Sequence, residues 1–189
     1  MDRFEEVLKA RRVLVADGAW GTELAKRGLG PGEVPEVWNA TRPDDVRAVA
    51  ESYVAAGAEI ILTNTFGGSR LKLARAGLAA RTPELNLAGA ELSAKAAAGR
   101  ALVFGSVGPT GEMLEPYGEL REEQALAAFG EQVRWLAAGG VNCIVIETKD
   151  TGTITLSGRG AGGSETATSV VSDILALAVK GRECSVFCY

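Results

Sequence analysis

The stretch Glu59-Ile60-Ile61-Leu62-Thr63-Asn64-Thr65-Phe66-Gly67 decides the fold. A short β-branched run passes straight into polar residues and a glycine, the pattern of a strand buried on both faces that ends at a loop. The pattern recurs along the chain. Val13-Leu14-Val15-Ala16 leads into Asp17-Gly18-Ala19-Trp20-Gly21-Thr22, and Ala101-Leu102-Val103-Phe104 into Gly105-Ser106-Val107-Gly108-Pro109-Thr110-Gly111. Cys143-Ile144-Val145-Ile146 leads into Glu147-Thr148, and Ser185-Val186-Phe187 is a further apolar segment near the chain end. Successive starts lie 40 to 46 residues apart, which leaves room for one helix and two loops.

The intervening stretches carry helix signals. Residues 43–56 begin with Pro43, place Asp44 and Asp45 in the first turn and stop at Gly57. Thr82-Pro83-Glu84 opens a second helix, reaching Ala98 before Gly99. A third spans Arg121 to Ala138 before Gly139-Gly140, and a fourth runs from Ser172 to Glu183. Strands that alternate with helices build a parallel sheet. No Gly-x-Gly-x-x-Gly follows the first strand, so a dinucleotide-binding open sheet loses support and a barrel is favoured. About five βα units are visible, against eight strands and about 250 residues in a complete barrel of this type. The expected fold is therefore α/β, a partial (β/α)8 TIM-type barrel. Residues 1–148 form its N-terminal part, 149–169 a Gly/Ser/Thr-rich insertion or linker, and 170–189 a helix and a fifth strand.

Composition narrows the function. The 189 residues are 47% hydrophobic and 23% charged, with a net charge of −4 and no cluster of Lys or Arg. That disfavours nucleic acid and anionic membrane as partners. No apolar run is long enough to cross a bilayer. The acidic start Met1-Asp2-Arg3-Phe4-Glu5-Glu6 is unlike a signal peptide, so a cytoplasmic location is expected. The chain has no histidine, which excludes a Ser–His or Cys–His nucleophile and the commonest metal ligand. Of its three cysteines, Cys184 and Cys188 form a C-x3-C pair on an apolar segment, which reads as packing rather than as half a metal site. Gly158-Arg159-Gly160 neither follows a strand directly nor ends in Gly-Lys-Ser/Thr, so it does not read as a phosphate loop.

The polar strand ends share the C-terminal rim of a barrel, where active sites of this architecture sit. Carboxylates at two of them, Asp17 and Glu147, with Asn64 and Ser106 at the others, suit an ammonium or amino-acid substrate. Gly18, Gly21, Gly105 and Gly108 would let backbone N–H groups approach a ligand closely. Trp20 reads either as a wall of the pocket or as packing.

The segments DGAWGTEL at 17–24, LTNTFGGSRLKL at 62–73, VFGSVGPTGEML at 103–114 and VIET at 145–148 resemble the homocysteine S-methyltransferase family. The likeness is closest to the homocysteine-binding domain of cobalamin-dependent methionine synthase. It covers residues 10–148 and resumes at Val171-Ser172-Asp173-Ile174-Leu175. The resemblance implies a complete (β/α)8 barrel in which three cysteine thiolates bind zinc. The zinc takes the homocysteine sulfur as thiolate, which attacks a methyl group carried by methylcobalamin or another donor. It also implies that Asp17 and Glu147 hold the homocysteine amino group, with Gly18, Gly21, Thr22, Asn64, Thr65 and Ser106 lining the same rim.

The family's zinc cysteines lie after the sixth and near the eighth strand, beyond the end of this sequence. Cys143 starts the fourth strand, at the wrong end of the barrel to replace them. The chain is therefore expected to be truncated, to hold no stoichiometric zinc and to be inactive alone. The alternative is a non-catalytic partial barrel that binds an amino acid or assembles with another chain through its exposed edge.

Overall fold

The computed structural model describes residues 14–148 and 152–157. Three strands, β1 (Ile60–Leu62), β2 (Leu102–Val107) and β3 (Cys143–Thr148), lie side by side and parallel. Ile61 pairs with Val103 and Gly105 with Ile144, so the strand ends seen in the sequence come into register. The expected first strand is reduced, among the described residues, to a single bridge between Ala16 and Ile60. The Glu59 N–H donates to the Val15 carbonyl at 2.8 Å, and the Asp17 N–H to that of Ile60 at 2.9 Å. Val15 is 58% exposed, while Leu14 packs against the cluster of Leu102, Phe104 and Cys143.

Six α-helices accompany these strands in the described residues: α1 (Trp20–Lys26), α2 (Trp38–Thr41), α3 (Pro43–Ala55), α4 (Arg70–Ala74), α5 (Thr82–Ala97) and α6 (Glu122–Ala138). The long helices α3, α5 and α6 occupy the ranges expected from the sequence to within a residue. Helix α3 has Pro43 in its first turn, with Asp44 and Asp45 against the positive end of the helix dipole. Gly57, at φ +96°, follows its end. Helix α5 ends on Ala98 at φ 45°, a left-handed conformation in which a Cβ is strained. Ala98→Gly should therefore raise stability by about 0.5–1 kcal/mol in urea denaturation, since relief of strain outweighs the extra freedom of the unfolded chain.

The sheet buries both faces. Ile61, Val103, Val107 and Ile144 pack against Val54, Ala90, Val133 and Leu136 of the three long helices. Leu102, Phe104 and Cys143 form a second cluster with Ile60, Leu62 and Val145. The periodicity of two along β2 thus feeds two apolar layers, as in a sheet covered on each side. Leu136 is fully buried in the first layer, and Leu136→Ala should cost about 2–5 kcal/mol, read from the shift in unfolding midpoint.

One expectation is corrected. The stretch read as a Gly/Ser/Thr-rich loop contains β4 (Gly152–Ser157), which pairs antiparallel with β3 from Cys143↔Ser157 to Thr148↔Gly152. Thr153-Ile154-Thr155-Leu156 alternates polar and apolar residues with high β propensity, a period of two hidden by the small polar residues around it. The sheet order is β1-β2-β3-β4, so β4 covers the free edge of β3. The helix and strand expected at 172–183 and 185–187, the Cys184/Cys188 pair and Gly158-Arg159-Gly160 lie outside the described residues. Among the described residues, no helix is long and apolar enough to cross a membrane.

Candidate functional site

At the C-terminal ends of β1 and β2 the polar strand ends surround a cavity of about 610 Å³. Its wall includes every residue from Leu62 to Gly67, together with Ser106, Gly18, Trp20 and Gly21.

Asp17 stands at one end of this segment. Its Oδ2 accepts hydrogen bonds from the Trp20 indole N–H at 2.7 Å and the Leu62 backbone N–H at 2.8 Å. Its Oδ1 is buried and has no partner among the described residues. Burial raises the Asp17 pKa above the usual carboxylate range, and the two N–H donors offset only part of that. Trp20 plays both of its expected parts, because it lines the cavity and also packs against the two apolar clusters that share Tyr53.

The Leu62–Gly67 segment is held from behind by buried polar side chains. The Thr65 hydroxyl donates to the Ser106 carbonyl at 2.8 Å, so the 2.5 Å contact between Thr63 and Thr65 has Thr63 as donor. Thr63 Oγ1 in turn accepts from the Ser106 N–H at 2.9 Å. The two threonines thus splice the end of β1 to the end of β2. Asn64 Nδ2 donates to the Pro35 carbonyl and to Asn39 Oδ1, while Asn39 Nδ2 donates to the Asn64 and Leu85 carbonyls. The Gln132 side chain donates to the Thr65 carbonyl at 2.7 Å, and Asn86 to the Gly68 carbonyl at 2.7 Å. A loop with this many buried backbone partners is pre-organised, as a binding surface requires.

Of the residues singled out in the sequence, Gly18, Gly21, Asn64, Thr65 and Ser106 line the cavity, and Asp17 bonds to two residues of its wall. The Thr65 hydroxyl is engaged in the splice. No described residue hydrogen-bonds to the Ser106 hydroxyl or the Asn64 Oδ1. Thr22 is exposed on α1, outside the cavity lining. Glu147 lies on β3 two residues beyond Val145, the register partner of Ser106. The expectation that Gly105 and Gly108 give a ligand access to the backbone is corrected. A Cβ on Gly105 would stand 2.8 Å from Ile144 Cδ1, and one on Gly108 2.6 Å from the Phe66 carbonyl oxygen. Their small size serves internal packing.

The sequence reading missed four charged residues of the wall: Glu33, which is exposed, and Glu36, Lys72 and Arg75. Glu36, on the turn Pro35–Val37, is 4% exposed, and its Oε1 accepts the Gly67 N–H at 2.5 Å. Burial raises its pKa, opposed by that N–H, its own N–H and the field of Lys72. A carboxylate between Pro35 and Val37 in an otherwise apolar run was the available signal.

The described residues do not fit the zinc that the resemblance implied. Among them, no group of three His, Cys, Asp or Glu side chains could hold a metal ion. Cys143 is buried at the start of β3, the end remote from the cavity.

This chain resembles known proteins in sequence and in fold. A family model described as homocysteine S-methyltransferase matches residues 14–151. The methionine synthase of Mycobacterium leprae (strain TN) is 30% identical over 151 residues, covering 74% of this chain and 12% of that protein. The methionine synthase of Mycobacterium tuberculosis (strain ATCC 25618 / H37Rv) is 31% identical, covering 74% of this chain and 13% of that one. Among solved structures, the oxidized form of the homocysteine methyltransferase MmuM from Escherichia coli superposes with a TM-score of 0.69 at 23% identity, covering 100% of this chain and 65% of that chain. Its metallated form gives a TM-score of 0.68 at 22% identity, covering 98% and 64%. The chain thus spans about an eighth of the methionine synthases and just under two thirds of MmuM.

Proposed function

Because the chain belongs to the homocysteine S-methyltransferase family, we propose that its cavity binds L-homocysteine and serves the transfer of a methyl group to the homocysteine sulfur, giving methionine. The observation that carries this reading is Asp17 Oδ1, a buried carboxylate oxygen without a partner among the described residues beside a cavity of amino-acid size or larger. An α-ammonium group supplies the missing donor and the missing charge together. Ser106 and Asn64 add polar contacts from the same rim, backed by a rigid segment, and Glu147 belongs to the same end of β3. The methionine synthase relatives and the metallated MmuM structure support the reaction class and a metal-dependent thiol. The metal would need ligands beyond the described residues, and no step here passes through it. A methylcobalamin or other methyl donor, a cytoplasmic location and a partial (β/α)8 barrel of about five βα units belong to the same proposal. The antiparallel β4 is a local departure from such a barrel.

Titration calorimetry tests the substrate. L-homocysteine should bind the purified chain without added metal, and L-homoserine should bind similarly, because the amino-acid end dominates recognition here. Absence of heat with either compound, in a sample shown to be folded by circular dichroism, would remove the reading. Elemental analysis of the same sample should find no stoichiometric zinc.

A further inference from the structure

Asp17 holds one end of the cavity wall from behind, and a buried carboxylate that itself lines the cavity, Glu36, holds the other. Asp17 accepts the N–H of Leu62, where the Leu62–Gly67 segment begins, and Glu36 accepts the N–H of Gly67, where it ends. All six residues of that segment line the cavity, so the two carboxylates bracket it. We propose that Glu36 is a ligand-binding residue that receives the cationic group, ammonium or sulfonium, of a second ligand bound beside the homocysteine.

Three observations carry the assignment. Glu36 is 4% exposed yet lines the cavity, and among the described residues no Lys or Arg stands within ion-pair distance of it. Lys72 acts on it only through its field, and Arg75 is engaged with the Gly111 carbonyl and Glu112. A desolvated carboxylate without a counter-charge is costly, and a cation from the cavity relieves that cost while keeping the group ionised, as protonation does by neutralising it. Gly67 admits the group. A Cβ there would stand 3.0 Å from Oε1 and 3.3 Å from Oε2, so the carboxylate lies against the bare glycine. Finally, Trp20 and Phe66 line the same space, and aromatic faces favour cations. A volume of about 610 Å³ exceeds what one small amino acid fills and accommodates two ligands. Identifying the second ligand with the methyl donor rests on the function proposed above; the cation site itself does not.

The probe is trimethylsulfonium chloride, a cation with no carboxylate or thiol. In the wild-type chain it should shift the Gly67 amide resonance in nitrogen-15 correlation spectra. Glu36→Gln, which keeps an acceptor for that N–H, should weaken trimethylsulfonium binding about tenfold or more while changing homocysteine affinity less than about threefold. Asp17→Asn should do the reverse. Equal trimethylsulfonium affinity in wild type and Glu36→Gln overturns the proposal. Should Glu36→Gln fail to fold, the wild-type spectra decide, and an unmoved Gly67 amide at saturating probe overturns it equally. Loss of homocysteine binding in wild type would instead remove the substrate reading and leave the sulfonium result standing.

Discussion

Asp17→Asn should weaken homocysteine binding about ten- to a hundredfold while leaving the protein as stable as the wild type, or more so, at neutral pH. Asparagine can still accept the Trp20 and Leu62 N–H groups through its oxygen, so the wall keeps its shape. What it places at the Oδ1 position is a neutral amide, which repels an ammonium hydrogen-bond donor. A charge-assisted hydrogen bond in such a setting is worth about 1.5–3 kcal/mol, or about ten- to a hundredfold in affinity. The stability half follows from the raised pKa of Asp17. With the folded-state pKa above the unfolded one, protonation favours the fold. That contribution is complete below the ordinary aspartate pKa and is lost as pH rises through the raised value. At neutral pH the wild type therefore carries an ionisation penalty that Asn lacks. Thermal melts should show the variant equal or higher at neutral pH, and the two should converge once acid protonates Asp17 in both states. A variant that binds homocysteine normally, or melts many degrees lower at neutral pH, removes Asp17 from its assigned role.

The residues that were legible in the sequence are those whose physical role leaves a periodic or punctuated trace. Strands β1 to β3 announced themselves because a covered parallel strand must be continuously apolar, and α3, α5 and α6 because Pro, Asp and Gly mark their ends. Asp17, Asn64 and Ser106 followed from counting past each strand end. Strand β4 was missed because Thr and Ser alternate with Ile154 and Leu156, and composition masked the alternation. Asn86 and Gln132 were invisible for a different reason. On an amphipathic helix an amide reads as solvated surface, yet both are fully buried and face the loop that lines the cavity. Their contribution depends on a partner far along the chain, and so does that of Glu36, set on a short turn with no period of its own. Thr65 lay between the two cases: its position was legible, while the inward direction of its hydroxyl depends on the neighbouring strand.

That hidden support predicts a strongly destabilising single change, Gly68→Ala. The Gly68 backbone is not left-handed, so alanine suffers no penalty from φ, and the cost comes from contact alone. Its Cβ would stand 2.4 Å from Asn86 Oδ1, and 2.9 Å from both Gln132 Nε2 and the Thr65 carbonyl oxygen. Asn86 cannot simply swing away, because its Nδ2 holds the Gly68 and Thr82 carbonyls at 2.7 and 2.8 Å. The Thr65 oxygen is backbone, already joined to Gln132 and to the Gly68 N–H. Either the polar support breaks or the Leu62–Gly67 wall moves, and the expected loss is about 3 kcal/mol in urea denaturation. Homocysteine affinity should fall with it, although position 68 is not part of the wall. A double-mutant cycle separates the causes. Asn86→Ala alone should cost about 2 kcal/mol, chiefly because the buried Gly68 carbonyl loses its donor, while the Thr82 carbonyl keeps the helical N–H of residue 86. Combined with Gly68→Ala the loss should be smaller than the sum, because the closest clash is gone, yet larger than for Asn86→Ala alone, because the Thr65 carbonyl remains in the way. Strict additivity, or a Gly68→Ala protein within about 0.5 kcal/mol of wild type, a span typical of uncoupled surface changes, would show that the loop is not held in the manner described.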